Sequence, residues 1–369
     1  MKRVGNAFKG VLGGFIFILI GVVLLWWNEG NNVRNLKTTA EMDDIVVDVP
    51  SDKVDPANEG KLIATHGEVI NEEEMIDSTF NVKVKTPLMK RIVEVYQWDE
   101  DSDTDEDGNT TYSYKKVWDT DIIDSGNFHD KNKVNPKSKP YEDETYSSKD
   151  VKVGAFSLSD KQISSLSTNA NYTEFDIATV EKLKLSASGK YLTTSKNLDS
   201  PAIGDVRISF VYNNSNTLSV LAVQSGNSFV DFVSKAGKTA NRVMDGDHSG
   251  HDMINQIKKE NNFLKWILRF LGAILIMGGI GAILKPISAV TSYIPLLGNV
   301  VGAAVGLISM LLGLAISFVV IAIAWVRFRP VLGISLLVGA AVLIVLLVMR
   351  GKKAKPIETP VVPEQTTQQ

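Results

Sequence analysis

Long apolar stretches lie near both ends of this chain, and the region between them is polar with alternating hydrophobic positions. The C-terminal third contains three apolar runs, at residues 266–284, 300–326 and 331–349. Each is close to the ~20 residues that a helix needs to cross about 30 Å of hydrocarbon. None of the three contains an Asp or a Glu. The pattern therefore predicts three membrane-spanning helices in this part of the chain.

A fourth apolar run, at residues 11–27, follows the basic residues Lys2, Arg3 and Lys9. Such a segment is either a cleaved secretory signal peptide or an uncleaved signal anchor. No cleavage site of the small-x-small type follows it. The sequence therefore favours an anchor and four spans in total, one N-terminal and three C-terminal.

Hydrophobic residues between the first two spans alternate as they do in half-buried β-strands. The strands are predicted at 61–69, 80–84, 91–98, 112–118, 204–212 and 218–224. The third and fourth form a hairpin around an acidic tip, and the last two flank an Asn/Ser turn. Helical spacing occurs at 159–170, with Ser159 or Asp160 as the N-cap, and at 236–260, whereas 31–58 shows little periodicity. The fold class is thus an α+β membrane protein with a large β-rich domain between spans one and two.

The charge of the chain is unevenly distributed, which the net charge of −3 and the mean hydropathy of +0.03 conceal. Residues 29–260 hold 40 acidic and 27 basic residues, a net charge of −13, while the flanks are basic. An acidic domain of this size argues against nucleic acid as a partner. The chain contains no cysteine, so no disulfide supports the domain.

The positive-inside rule assigns an orientation. With the N-terminus in the cytoplasm, most basic residues near span ends are inside, whereas Arg327 and Arg329, in the short loop between the last two spans, are outside. Aromatic residues prefer the interfaces, and this orientation places four tryptophans at the outer one: Trp26, Trp27, Trp266 and Trp325. The β-rich domain is then extracytosolic, in the periplasm, the cell exterior or an organelle lumen, and both termini are cytoplasmic.

The predicted order of segments follows from these points. It comprises a cytoplasmic N-terminus at 1–10, span one at 11–27, the domain at 28–260, span two at 264–284, an interfacial linker at 285–299, spans three and four at 300–326 and 331–349, and a disordered cytoplasmic tail at 350–369. Arg269 is the only charge inside a span, and its position near Trp266 suggests that it extends to the lipid headgroups. Small residues that permit close helix packing lie at Gly278, Gly279 and Gly281 and in the GxxxG of Gly302 and Gly306.

The acidic hairpin tip is a candidate calcium site. Asp103, Asp105, Asp107 and Gly108 have the D-x-D-x-D-G spacing of a calcium loop, in which alternate carboxylates converge on the ion. The full pattern also requires a bidentate Glu six residues after the glycine, where this chain has Tyr114. The alternative is a solvated tip whose charges prevent edge-to-edge aggregation. Calcium is the one cofactor candidate.

Enzymatic motifs are weak in this sequence. Neither a Gly-x-Ser-x-Gly elbow nor a phosphate-binding glycine loop is present, and the chain has four histidines. His248 and His251 could bind a metal with Asp247 or Asp252, or the segment could be a polar turn that caps the following helix. The sequence therefore predicts no catalytic residues.

Several short segments resemble, in order, the transmembrane protein 43 (LUMA) family. They are 27–30 (WNEG), 95–98 (VYQW), 112–114 (YSY) with Trp118, 135–136 (NP), 204–210 (GDVRISF) and 329–330 (RP). The resemblance implies four spans and a large extracytosolic domain. In animal relatives it implies residence in the endoplasmic reticulum and inner nuclear membrane, with a role in membrane-protein organisation and self-association. It supplies no catalytic residues.

These observations together predict a non-enzymatic membrane scaffold. Its partners are the lipid bilayer, further copies of the chain in a homo-oligomer, and other membrane proteins. Two alternatives remain, a calcium-responsive extracytosolic sensor that uses the acidic tip, and an oligomeric passive pore.

Overall fold

The computed structural model describes residues 2–104, 109–291 and 295–331, together with 333–335 and 338. Five α-helices lie within the described residues: α1 Lys2–Ile45, α2 Asp160–Ser164, α3 Ile177–Lys182, α4 Gly250–Thr291 and α5 Pro295–Phe328. Three helical segments in this part of the chain are long and apolar enough to cross a membrane, namely Gly10–Ile45, Gly250–Ile287 and Val301–Phe328. The fourth predicted span, 331–349, falls almost wholly outside the described residues and stays a prediction.

The domain between α1 and α4 is built mainly from short strands. They are β1 Val47–Asp48, β2 Leu62–Asn71, β3 Glu74–Asp77, β4 Val82–Lys85, β5 Leu88–Thr104, β6 Thr110–Asp119, β7 Glu144–Ser147, β8 Val151–Val153, β9 Phe156–Ser157, β10 Ala170–Asn171, β11 Ser186–Ser188, β12 Tyr191–Thr193, β13 Val206–Tyr212, β14 Thr217–Ser225, β15 Ser228–Val230, β16 Phe232–Val233, β17 Thr239–Ala240 and β18 Arg242–Asp245. The prediction of a large β-rich domain is confirmed.

Two seven-stranded sheets organise the domain. The first has the order β15-β14-β2-β8-β9, with β1 paired to β2 and β18 paired to β14. The second has the order β11-β12-β13-β5-β6, with β10 on β13 and β7 on β5. Each sheet has its own buried apolar cluster, one containing Phe156 and Leu218 and the other containing Phe80 and Phe210.

The predicted hairpin of 91–98 and 112–118 is confirmed, because β5 and β6 pair antiparallel from Val95↔Asp119 to Thr104↔Thr110. The second predicted pair behaves differently. β13 pairs with β5 in the second sheet, whereas β14 pairs with β2 in the first. The turn between them carries the chain from one sheet to the other, and Asn213 marks this crossing with its N–H bonded to the Leu88 carbonyl.

Helix boundaries differ from the sequence-based expectations at several points. The predicted interfacial linker 285–299 is helical at both of its described ends, because α4 continues to Thr291 and α5 begins at Pro295. α1 continues through the stretch that lacks periodicity and ends at Ile45. The helix predicted at 159–170 is only Asp160–Ser164, although Ser159 forms the expected N-cap in a capping box with Gln162. The helical pattern predicted from residue 236 begins only at Gly250, because β17 and β18 occupy the preceding residues.

The helices α1 and α4 connect the membrane to the domain without a break. They have 44 and 42 residues, which at 1.5 Å per residue corresponds to about 65 Å each. Their domain ends are buried in an apolar cluster where Met42 of α1 meets Met253 and Ile254 of α4 and the strand residues Leu62 and Leu221. The first sheet therefore packs directly on the extension of the membrane helices.

Candidate functional site

Close glycine contacts set the spacing of α1 and α4 in the membrane. The two helices are antiparallel, and a Cβ atom added at Gly14 would lie 2.6 Å from the carbonyl oxygen of Gly279. A Cβ at Gly21 would lie 2.8 Å from the carbonyl oxygen of Gly272. Both pairs are seven residues apart on their helices, which keeps them on one face over two turns. Only glycine permits this approach of the two backbones.

Of the glycines singled out in the sequence, Gly279 lies in this interface, while a Cβ at Gly278 would meet no atom within 4 Å. Gly281 faces Ser309 of α5, and a Cβ added at Gly281 would lie 3.7 Å from the Ser309 Oγ. Among the described residues, no atom lies within 4 Å of a Cβ placed at Gly306. Gly302 is buried, whereas Gly306 is exposed. The contribution of the two glycines to helix packing stays a prediction, and for Gly306 it would have to involve another segment or another copy.

A buried ion pair joins α1 and α4 at the end of the glycine interface. Arg269 Nε donates a hydrogen bond to Glu29 Oε1 at 2.6 Å, and its Nη2 donates to Oε2 at 3.0 Å. The indole Nε1 of Trp325 on α5 donates to the same Oε2 at 2.9 Å. The side chain of Glu29 is 1% exposed and that of Arg269 is 14% exposed. One carboxylate therefore links all three described membrane helices.

Arg269 was expected to extend to lipid headgroups, and this expectation is wrong. A bidentate partner within the protein satisfies its guanidinium, which also stacks on Trp266 at 4.8 Å from the ring centre. The sequence does contain a signal for this pair. A single arginine in an otherwise uncharged span needs a counter-charge, and Glu29 is the acidic residue nearest to the end of span one.

The buried surface of α1 around and beyond Glu29 is mostly polar, with Val33 and Met42 as its apolar members. Asn28, Asn31, Asn32, Thr38 and Thr39 are all buried. The Asn28 amide donates to the carbonyl of Lys265 at 3.1 Å, and Asn35 donates to Asn261 Oδ1 at 2.9 Å. Amide contacts of this kind hold α1 against α4 where their interface is mostly polar.

Charged residues continue the same interface at the domain end. Asp43 of α1 lies between two residues of α4, with its Oδ1 at 2.7 Å from His251 Nδ1 and its Oδ2 at 2.9 Å from Lys258 Nζ. His248 is turned elsewhere and lies 2.9 Å from the carbonyl of Asp245. The two histidines therefore do not converge. Among the described residues, no group of three His, Cys, Asp or Glu side chains could hold a metal ion.

The segment around the histidines is instead a helix cap. The Ser249 hydroxyl donates to Asp252 Oδ2 at 2.6 Å and accepts from the Asp252 N–H at 3.2 Å. These bonds satisfy N-terminal groups of α4, as a capping box does. The capping interpretation of this stretch is confirmed.

At the acidic hairpin tip, the structure describes Asp103 but not Asp105 or Asp107. Asp103 is exposed and opposite Thr111 in the β5–β6 ladder. Tyr114, which occupies the position of the missing calcium-loop Glu, donates its hydroxyl hydrogen to Glu100 at 2.6 Å. Because Asp105 and Asp107 lie outside the described residues, the structure does not test the candidate calcium site.

A second buried charge cluster, not anticipated from the sequence, lies inside the domain. Asp77 is fully buried and accepts a hydrogen bond from Arg91 Nη1 at 2.5 Å and from the Tyr146 hydroxyl at 2.8 Å. Its other oxygen accepts the N–H groups of Thr79 and Phe80. Burial raises the pKa of Tyr146 well above its ordinary value, and its contacts with Asp77 and Glu144 raise it further. The cluster joins β3 to β5 and β7.

The tryptophans predicted at the interface lie close to the Glu29 pair. Trp27 is 50% exposed and Trp266 is 58% exposed, whereas Trp26 packs on Phe328 with ring centres 5.4 Å apart. Trp325 has a structural partner in Glu29. Their common depth in the membrane stays a prediction, because it depends on where the bilayer lies.

The apolar helices and the attached β-rich domain define this chain as an integral membrane protein with one large non-membrane domain. The family model described as Transmembrane protein 43 matches residues 95–330. The chain belongs to the Transmembrane protein 43 family, as the resemblance of its sequence segments suggested.

Relatives are similar over almost the whole length. Transmembrane protein 43 of Mus musculus is 25% identical over 380 residues, covering 97% of this chain and 94% of the relative, and the Homo sapiens protein gives the same values. The Transmembrane protein 43 homolog of Drosophila melanogaster is 25% identical and covers 89% of this chain and 92% of the relative. No solved structure matches significantly.

Proposed function

We propose that this protein is a non-enzymatic membrane scaffold, which self-associates through its helices and presents its β-rich domain to membrane-protein partners. The observation that carries the proposal is the continuity of α1 and α4 from the membrane into the domain. Both ends of the domain are held by helices that pack on each other from Gly14 to Asp43 of α1, through the glycine contacts, the Glu29–Arg269 pair and the Asp43 contacts.

Such a connection favours a scaffold because it fixes the orientation of the domain. A domain on flexible linkers must lose conformational freedom each time an assembly forms, and this cost opposes association. A domain on rigid helices has lost that freedom already when it folds. The same property would not by itself promote catalysis or calcium sensing.

Self-association through α5 is supported by its exposed surface. Within the described residues, large apolar side chains on α5 remain uncovered, among them Leu307, Leu311 and Phe318. Gly306 lies on the exposed side of this helix with no neighbouring atom where a Cβ would be. Small residues of this kind allow the backbones of two membrane helices to approach closely. The predicted fourth span is the other segment that could cover this surface.

The experiment is native mass spectrometry of the full chain, extracted in mild detergent and compared with the Gly306→Leu variant. We expect an oligomer for the wild type and a shift toward monomer for the variant. Gly13→Leu is the matched control, since Gly13 also has open space around it and lies on α1. A wild-type protein that is strictly monomeric and carries no co-purifying membrane protein would contradict the proposal.

The extracytosolic placement of the domain belongs to the same proposal and is supported by the distribution of charge along the sequence. Limited proteolysis of sealed right-side-out vesicles tests it. We expect cleavage in the acidic tip at 103–109 and protection of the tail at 350–369. Protection of the tip together with cleavage of the tail would contradict the extracytosolic placement and indicate the opposite orientation in the membrane.

A further inference from the structure

A deep cleft lies where the domain meets the membrane helices. It has a volume of about 1020 Å³, and its walls come from one face of α1, the turn between β16 and β17, and the C-terminal end of α5. The α1 residues that line it include Val23, Trp27, Gly30, Arg34 and Lys37, which recur every three or four residues and so share a helix face. This face is apolar at its membrane end and basic at its domain end.

The membrane end of the cleft is apolar. Val23 and Trp27 line it, and both also line a shallower groove of about 430 Å³ that continues down α1 past Leu19 and Ile20. Phe328 forms the opposite wall, and it fits there because Gly30 has no side chain: a Cβ at this position would lie 2.8 Å from the ring. The groove therefore offers a continuous apolar track from the cleft toward the hydrocarbon.

The domain end of the cleft is cationic. Four exposed basic side chains line it, from three different elements: Arg34, Lys37, Lys235 and Arg327. Among the described residues, none of the four forms an ion pair, and the Arg327 guanidinium lies over the Phe328 ring at 5.8 Å from its centre. The one acid in the lining is Glu41, whose carboxylate accepts the N–H of Lys235 at 2.9 Å.

The distance between the two ends suits an amphipathic ligand. Trp27 and Arg34 are seven residues apart, which corresponds to about 10 Å along the helix axis. Tryptophan rings prefer the level of the headgroups, so the cations lie just beyond that level, where a lipid phosphate would be. Arg327 also falls on the side of the membrane that the positive-inside rule disfavours, and phosphate binding gives its charge a role there.

We propose that this cleft binds one anionic glycerophospholipid from the leaflet nearest the domain. The phosphodiester and the anionic headgroup contact Arg34, Lys37, Lys235 and Arg327, and an acyl chain lies along Val23 and Trp27 in the groove. Because the cations come from α1, the β16–β17 turn and α5, the bound lipid joins the domain to two membrane helices. A soluble phosphate ester would fill only the cationic end and leave the apolar track empty.

Native mass spectrometry of the full, delipidated chain tests this with two lipids of equal chain length, dioleoylphosphatidylglycerol and dioleoylphosphatidylcholine. We expect one tightly bound phosphatidylglycerol and a preference for it over phosphatidylcholine of about tenfold or more. In the variant carrying Arg34→Gln and Arg327→Gln, the affinity for phosphatidylglycerol should fall by about thirtyfold.

The matched control carries Lys196→Gln and Lys259→Gln, which removes the same charge from exposed residues outside the cleft. It should bind phosphatidylglycerol as the wild type does. The variant with Arg34→Lys and Arg327→Lys keeps the charges and should retain most of the binding, which separates a binding defect from a folding defect. Equal affinity in the Gln variant and its control would overturn the proposal. Glycerol 3-phosphate that competes as strongly as the lipid would overturn the acyl-chain part.

Discussion

Arg269 and Glu29 face each other across the α1–α4 interface with two hydrogen bonds, of 2.6 and 3.0 Å. Trp325 adds a third hydrogen bond to the same carboxylate. The pair lies at the level where the two helices leave the apolar glycine interface and enter their polar one. It therefore fixes the register of α1 against α4 and places α5 beside them.

Removal of one partner of this pair should destabilise the protein strongly. Glu29→Gln leaves the guanidinium of Arg269 in a mostly buried site without its counter-charge, and such changes cost about 3–5 kcal/mol. The double variant with Arg269→Gln should recover part of the loss, because two amides can bond to each other. Unfolding of the purified protein in detergent, measured for the full double-mutant cycle, gives the coupling. If the losses of unfolding free energy in the two single variants add up to the loss in the double variant within about 0.5 kcal/mol, the two residues are not coupled.

Trp325→Phe should have a smaller effect in the same direction. The variant keeps an aromatic, though smaller, side chain and removes one hydrogen bond to a charged group, which is typically worth about 1.5–3 kcal/mol. Its expected midpoint of thermal unfolding lies between those of the wild type and Glu29→Gln. A midpoint equal to that of the wild type would show that the indole N–H does not contribute.

Neighbouring glycines on α4 should respond in opposite ways to the same substitution. Gly279→Ala places a methyl group 2.6 Å from the Gly14 carbonyl oxygen and forces the helices apart, so we expect a lower melting temperature. Gly278→Ala meets open space and gains up to about 1 kcal/mol of helix propensity, so we expect no loss. Thermal unfolding of both variants in one detergent makes the comparison. Equal melting temperatures would contradict the close contact of α1 and α4.

The buried cluster around Asp77 predicts a pH dependence on the alkaline side. The folded-state pKa of Tyr146 is raised, so the stability that it contributes is fully present below the unfolded pKa near 10 and is lost as the pH rises above that value. We expect the free energy of unfolding to fall more steeply from about pH 9 to about pH 11 in the wild type than in Tyr146→Phe. Parallel curves for the two proteins would show that the hydroxyl titrates normally.

Calcium should not bind at the β5–β6 tip. The loop pattern lacks its bidentate Glu, and Tyr114 at that position is hydrogen-bonded to Glu100. We expect calorimetric titration of the full chain to give no saturable heat up to millimolar calcium. If saturable binding does occur, and the double variant with Asp105→Asn and Asp107→Asn abolishes it, the sensor interpretation replaces the scaffold.

The strands were visible in the sequence because apolar residues recur along them at strand spacing, as in β5; β13 and β14 were visible too, although the structure buries both of their faces over much of their length. Their assignment to different sheets was not, because it depends on β5 and β2, which are more than 100 residues earlier in the chain. The extension of α1 to Ile45 was missed for another reason. Its buried face consists mostly of Asn and Thr, with Val33 and Met42 as the apolar exceptions, so hydrophobic periodicity gives little signal there.

The scaffold proposal requires that the domain is held in one orientation by its own membrane helices. Its most direct test is a distance measurement by electron spin resonance between labels at Leu12→Cys on α1 and Ser188→Cys on β11, in lipid nanodiscs with excess unlabelled protein. The native chain has no cysteine, so the two labels are the only ones present. We expect a single distance distribution, as narrow as that of a reference pair inside the domain, Ile70→Cys with Ser188→Cys. A distribution that is broad or has several maxima, while the reference pair stays narrow, would contradict it.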